Sequence, residues 1–517
     1  MNATPIDIAS LLGPDADPGE AGLTLRQVGA APADRATELL DDLLENADQI
    51  PFSDPAILGG LLRGLHILFL KGDPAALATL DPSRLDALAD ALPPNCPNRH
   101  LVDHLIVMIG SDAALRLAVG RMIAQPPKDA AAAGQILAPL LQRKSWPVEA
   151  VFPALLDAIE NRFLASPILD IANYLTRTRR VATHPAAERA GWLTSLLAAV
   201  TGRLEQFESD PRSLGDDIAT VQQRLAEAVS LAVSLCDALG LIGWTPAIPR
   251  LTEAMQLKHR RVQTEAAGAL ARLGDEVGAE HLVALVADPS ARLRVIAYAD
   301  ELGLGEKIDE HYRGQESTAE AEMALWLSQP GQMGVAPTLV ESIDHRVLYW
   351  PGYEQPLDCF LVRFHYDMGA KTYSNVGIAG PVTFALANNV ADLPIDDIYA
   401  IYAGWQAEHD DIFAIAAEHL NPAQRRLVSD LAAHADRSGY HQPTVELFGV
   451  FLDEHAAVFR AVRDEKPCFV ITDGLEMIHL PIGDRPRELG AVDLWNLYKG
   501  RKMLRTFNPV DSPDDAA

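Results

Sequence analysis

Basic residues are scarce in this chain: 43 Lys and Arg stand against 71 Asp and Glu in 517 residues, leaving a net charge of −28 at neutral pH. A protein whose main work is gripping a phosphate backbone needs clustered positive charge, so nucleic acid is not expected as a partner. Aromatic residues are also few, 6% of the chain, although 48% of residues are hydrophobic. Small apolar side chains in that proportion suit packed helices rather than an aromatic-rich β-sandwich or a disordered chain. Only four cysteines occur, Cys96, Cys236, Cys359 and Cys468, each more than a hundred residues from the next. This spacing makes neither a disulfide framework nor a Cys-x-x-Cys site, and reads as buried thiols in a reducing compartment. The stretch Met1–Gly22 lacks a basic start and a continuous apolar run, and the apolar Ile67–Leu70 stops at Lys71-Gly72-Asp73. Neither a leader nor a membrane-spanning segment is expected there, which points to the cytoplasm. A Gly-x-Ser-x-Gly elbow, a cysteine-nucleophile signature and a phosphate-binding glycine loop are all missing, so no cofactor is expected.

What the chain does contain divides near residue 330. Twelve aromatic residues precede residue 331 and twenty follow it, in little more than half the length. The junction Ser328-Gln329-Pro330-Gly331-Gln332-Met333-Gly334 is polar and rich in Gly and Pro, as linkers are. The reading is a flexible N-terminus (1–22), an α-helical region (23–310), a linker (311–335), an α+β domain (336–508) and an acidic flexible tail (509–517). In the helical region apolar residues recur at three- and four-residue spacing, as in Leu61, Leu62, Leu65, Leu68 and Phe69. Asp-Pro pairs at 54–55, 73–74, 81–82, 210–211 and 288–289 mark helix starts, with Asp as N-cap and Pro in the first turn.

Between residues 231 and 308 a 31-residue period superposes Leu231, Val262 and Leu293, then Ile242, Leu273 and Leu304, then Gly243, Gly274 and Gly305. Each unit holds two short helices, and neither could bury its apolar stripe alone, so the units must stack. The segment Arg261-Val262-Gln263-Thr264-Glu265-Ala266-Ala267-Gly268-Ala269-Leu270-Ala271-Arg272-Leu273-Gly274-Asp275 resembles a HEAT repeat, closest to the short HEAT-like repeats of phycobilisome lyases. The fold class is therefore an α-helical HEAT-like solenoid followed by an α+β domain with antiparallel hairpins. The resemblance implies protein-binding scaffolds, some bilin lyases and di-iron deoxyhypusine hydroxylases. Those hydroxylases hold iron through His-Glu dipeptides in this second helix, where this chain has Thr264-Glu265, so iron is not implied here.

After the junction, Phe360, Val362, Phe364 and Tyr366 alternate with Leu361, Arg363 and His365, the period of a half-buried strand, and Thr372–Ile378 continues it after a turn. Asp473-Gly474 between two apolar runs predicts a second hairpin. Ile398, Tyr402, Trp405, His409, Ile412 and Phe413 predict one helix over 396–420, with His409 on its apolar stripe. The alternation predicts that Arg363 and His365 converge with Tyr373 and Asn375 beside the loop Gly377–Pro381, where Gly377 and Gly380 would admit a small anion. His365, Tyr373 and His409 are the candidate catalytic groups, and Arg363, Asn375, Gly377 and Gly380 the candidate ligand contacts. The plain alternatives are the solvated outer face of a sheet and, for His409, a hydrogen-bonded core histidine. Glu-His pairs at 280–281, 408–409, 418–419 and 454–455 lack the three- or four-residue ligand spacing of a helical metal site, so no metal is expected. The basic run Tyr498–Arg505 fits either an anionic partner or the chain's own carboxylates. Three readings follow: a non-catalytic protein-binding scaffold whose partner has a basic surface, an enzyme or small-anion-binding protein with its site in the α+β domain, or a lyase or chaperone-like modifier.

Overall fold

The computed structural model describes residues 26–31, 35–45, 55–92, 96, 98–210, 213, 217–329, 331–369, 371–407, 409–482 and 489–508. The chain forms two compact units that meet between Leu282 and Val283. The first, within the described residues, is helical: α1 (Ala36–Glu45), α2 (Pro55–Lys71), α3 (Pro74–Leu77), α4 (Ser83–Ala91), α5 (His100–Ile109), α6 (Asp112–Ala124), α7 (Ala130–Gln142), α8 (Ala165–Arg177), α9 (Ala190–Ser209), α10 (Ile218–Ile242), α11 (Ile248–Met255) and α12 (Arg260–Arg272). α5 is mostly apolar and buried from Leu101 to Ile109, with Asp103 paired to Arg121 and α2, α4, α6 and α7 packed around it. α10 is long and apolar enough, by length and composition, to cross a membrane, and it packs against α8, α9 and α12.

The Asp-Pro signals hold where they fall on described residues. Asp288 caps α14 (Pro289–Leu302) by accepting from the Ser290 N–H at 2.9 Å, and Asp81 accepts from Ser83 N–H at 3.0 Å just before α4. Asp54 and Pro211 lie outside the described residues, and α10 is capped by Asp217 instead. Gly243 and Gly274 have the left-handed φ expected of repeat ends, 76° and 83°, but the third such residue is Gly303 at 71°. Gly305 opens a 3-10 turn instead. A glycine standing two positions earlier takes the left-handed turn without a Cβ clash, so the helix stops there and the period slips.

The second unit begins inside α13 (Glu276–Ala284) and continues through α14 and α15 (Gln315–Leu327) into two antiparallel sheets. Sheet A is β1 (Leu339–Tyr349), β2 (Pro356–Met368) and β3 (Lys371–Ala379) in that order. Sheet B is β4 (Ile412–Ala416), β5 (His441–Phe451), β6 (Glu454–Arg463), β7 (Lys466–Thr472) and β8 (Met477–Pro481), also in chain order. The remaining helices are α16 (Ile395–Gln406), α17 (Pro422–Arg437) and α18 (Ala491–Phe507). Period-two alternation builds the layers. Even-numbered Phe360, Val362, Phe364 and Tyr366 of β2 pack on Ala319, Met323, Ala324 and Leu327 of α15, while odd-numbered Cys359 and Leu361 meet α16 and α18 on the other face. Leu447, Val458, Phe469 and Ile471 of sheet B close that second core, and Phe448, Phe459 and Val470 face α17.

Two expectations are corrected. The stretch 311–335 is not a linker, because α15 occupies its middle and lies on sheet A with Met323 fully buried. Its short polar turns resemble a linker, but Ala319, Met323, Ala324 and Leu327 place an apolar stripe at helical spacing between them. Nor does one helix run over 396–420. α16 ends at Gln406, and Ile412–Ala416 is an edge strand paired with β5, Ile412 opposite Phe451 and Ala416 opposite Leu447. Ile412, Phe413 and Ile415 favour a strand, and the carboxylate-rich Glu408-His409-Asp410-Asp411 is a poor helix interior. The apolar spacing survives across the break by coincidence.

Candidate functional site

The first hairpin forms where expected, but its register separates the four candidate side chains. Met368 pairs with Lys371 across a two-residue turn, so Arg363 opposes Val376, Phe364 opposes Asn375, His365 opposes Ser374 and Tyr366 opposes Tyr373. Directly opposed residues share a face, which puts Tyr373 and Asn375 with Phe364 and Tyr366, and leaves Arg363 and His365 on the other side. Arg363 is half-exposed and reaches Glu341 of β1 at 3.5 Å. His365 is half-buried.

Asn375 is fully buried and every polar atom of its amide is used. Its Nδ2 donates to the carbonyls of Leu386 and Asn388, both at 3.1 Å, and its Oδ1 accepts from Val390 N–H at 3.3 Å. It thereby ties the loop after β3 onto the sheet. The Tyr373 hydroxyl also accepts from this amide, at 3.3 Å. A Cβ on Gly377 would strike Met323 of α15, and one on Gly380 would strike the Asp358 carbonyl, so both glycines stand where chains approach closely. His409 is neither on a helix nor in a core: it sits exposed before β4, with Nδ1 accepting from Asp411 N–H at 3.2 Å. The basic run of α18 pairs with the chain's own carboxylates: Arg501 with Asp397, Lys502 with Glu454 and Asp473, and Arg505 with Glu476.

These placements separate three substitutions by stability. Phe364→Ala empties a fully packed position and is expected to cost about 3–5 kcal/mol. Asn375→Ala leaves two carbonyls and an N–H without partners and is expected to cost about 2–3 kcal/mol. Arg363→Ala loses one long, solvent-screened contact and should change stability by about 0.5 kcal/mol or less. Urea unfolding monitored by fluorescence would order them, and an Arg363→Ala loss equal to that of Phe364→Ala would overturn this placement.

A connected polar site does form, in the helical unit. Down α8, otherwise apolar, run Ser166, Asp170, Asn173 and Arg177; down α10 run Ser230, Ser234 and Asp237. The Ser234 hydroxyl donates to Asp170 at 2.6 Å and lies 2.8 Å from the Ser166 oxygen, itself 2.8 Å from Ser230. Asn173 Nδ2 donates to the Ser234 carbonyl at 3.1 Å and its Oδ1 faces His184 Nε2 at 2.9 Å, while His184 Nδ1 accepts from Ala186 N–H at 3.1 Å. That last bond fixes the imidazole with its proton on Nε2, and burial pushes its pKa down to about 4. Asp170 keeps part of its surface in water, and desolvation of its carboxylate against the helices first, then the charges of Asp237 and Glu265, push its pKa up to about 6. Arg177 pairs with Asp237 at the end of the seam.

Sequence reasoning missed this seam, although polar residues three and four apart on apolar helices were its signal. Thr264, on the neighbouring α12, is fully buried and donates to the Arg260 carbonyl of its own helix at 2.9 Å. Of the Glu-His pairs, 280–281 lies on α13, 418–419 in the 3-10 turn Ala417–His419 and 454–455 on β6, while His409 precedes β4 and Glu408 lies outside the described residues. Among the described residues no group of three or more His, Cys, Asp or Glu is placed to hold a metal ion.

Paired helices of this length, with left-handed glycines at Gly243, Gly274 and Gly303, define a helical repeat protein. Residues 219–303 match the family model of HEAT repeats, and the chain carries HEAT repeats there. Comparison with curated proteins and with solved structures gives no match.

Proposed function

We propose that the protein is a non-catalytic scaffold that holds other proteins, cytoplasmic, with a partner that presents a basic surface. The observation that carries this reading is the HEAT-repeat match over 219–303, because stacked repeats of this kind typically serve protein–protein interaction. The net charge of −28 supports a cationic partner, since an excess of carboxylates steers basic surfaces and repels nucleic acid. The candidate groups of the first hairpin supply no converging acid, base or nucleophile that would favour catalysis there.

Exposed charges are screened within about 8 Å at physiological ionic strength, so retention of a partner on the immobilised full chain should fall at least about tenfold between roughly 0.05 and 0.5 M salt. Crosslinks should map to residues 219–303. Salt-insensitive retention, crosslinks confined elsewhere, or tight binding to DNA or RNA would each count against the reading.

A further inference from the structure

A cavity of about 280 Å³ opens between α9 and α10. Its lining comes from one stripe of each helix: Val200, Arg203 and Leu204 at i, i+3 and i+4 on α9, and Arg224, Glu227, Ala228 and Leu231 at i, i+3, i+4 and i+7 on α10. Such a stripe is ordinarily the closed apolar seam of a helix pair. Here four aliphatic side chains make a floor, and Arg203 and Arg224, joined by Arg162 from the segment before α8, add guanidinium groups. The single lining carboxylate, Glu227, is held along its own helix by a hydrogen bond from Gln223 Nε2 at 3.0 Å. Among the described residues neither Arg162 nor Arg203 has a carboxylate partner; Arg162 lies over the Phe163 ring at 4.3 Å. In a chain with 28 more acidic than basic groups, Arg162 and Arg203 against one lining glutamate leave the local charge positive.

We propose that this cleft binds a small anionic amphiphile, its carboxylate or phosphate head on the arginines and its medium-length alkyl chain on the aliphatic floor. Size selects the class. At about 30 Å³ per water-sized group the cavity holds about nine such groups, enough for a medium alkyl chain. A peptide helix about 10 Å across would not enter it. Charge selects the head, since guanidinium matches carboxylate and phosphate oxygens in paired hydrogen bonds. The site is independent of the scaffold reading and stands or falls without it.

Titration calorimetry on the full chain with monomeric decanoate, decyl phosphate, decanol and decyltrimethylammonium tests it. One anion should bind with a stoichiometry of one, at least about tenfold tighter than decanol, with no binding of the cation. Tighter decanoate assigns a carboxylate ligand, and tighter decyl phosphate a phosphate monoester. The double variant Arg162→Gln/Arg203→Gln, which alters exposed side chains, should weaken the anion at least about tenfold while its melting curve is unchanged. Ala228→Phe, which fills the floor, should abolish binding of the chain. Absence of one-to-one binding, decanol equal to the anions, or undiminished affinity in the double variant would overturn the assignment.

Discussion

Gly404→Ala or Gly500→Ala is expected to destabilise the second unit by about 3 kcal/mol or more, and the double substitution to prevent its folding. The reason is how closely α16 and α18 cross. A Cβ built on Gly404 would collide with the Asn496 carbonyl and come within 3.0 Å of the Gly500 nitrogen, and one on Gly500 would collide with the Ala400 carbonyl. All of these are backbone atoms, which cannot rotate out of the way, so the helices would have to separate. Tyr399, Tyr402, Trp495 and Tyr498, all buried in the core these helices share, would lose their packing with them. A matched control is Gly120→Ala in α6, where a Cβ meets nothing within 4 Å. There the better helix propensity of alanine should stabilise by about 1 kcal/mol. Urea midpoints of the second unit for the Gly404 and Gly500 variants, and of the first unit for Gly120→Ala, would decide it; a Gly500→Ala chain as stable as its parent would sink the account of the crossing.

The second large effect is in the helical unit and depends on pH. His184 and His104 both have folded-state pKa values lowered to about 4 by burial. The unfolded chain therefore takes up their protons first, and the stability they contribute is intact above about pH 6.5 and is lost as pH falls toward 4, about 3 kcal/mol for each. Asp170 acts in the opposite sense. Its pKa is raised to about 6, so the folded state takes up the proton first, but the residue is exposed and water screens it, so the unit gains only about 1 kcal/mol as pH falls from 6 toward the unfolded value near 3.8. On these three groups alone the net loss between pH 7 and 4 is about 5 kcal/mol.

Asp170→Asn separates the terms. Asparagine keeps an oxygen for the Ser234 hydroxyl and offers its amide to Ser166, while removing a charge that Asp237 and Glu265 repel. The variant should be more stable than the parent at pH 7 by up to about 1 kcal/mol and should lose about 6 kcal/mol by pH 4. Denaturant titrations at the two pH values measure both numbers. A variant less stable than the parent at pH 7 would show that the carboxylate is a favourable partner in the seam rather than a strained one.

Much of this architecture is legible in the residues because it rests on local periodicity. The helices, the HEAT repeats and both hairpins follow from spacing, capping residues and turn chemistry, and Asp473-Gly474 does sit in the β7–β8 connection, with Gly474 at φ 89°. The candidate site was less legible because it depended on parity. An even number of turn residues pairs odd positions with even ones, so a turn of two residues sent Tyr373 and Asn375 to the aromatic face. Periodicity also cannot report where a backbone finds its partners. Ile412–Ala416 continues the stripe of α16 on paper, yet pairing with β5 satisfies its backbone in the extended form. The Asp170 seam follows the same logic in reverse: its members are polar residues on apolar helices, and only the meeting of α8 with α10 turns them into a network.

The place of α15 on sheet A bears on how the chain can be cut. A fragment begun at the aromatic-rich boundary near residue 336 would keep β1 to β8 but discard Ala319, Met323, Ala324 and Leu327. Phe360, Phe364 and Tyr366 would then face water together, and aromatic side chains of this size would bare several hundred Å² of contiguous apolar surface. Such a piece would be prone to precipitate however well its own strands pair. Soluble expression of the second unit therefore depends on a helix that composition assigns to its neighbour.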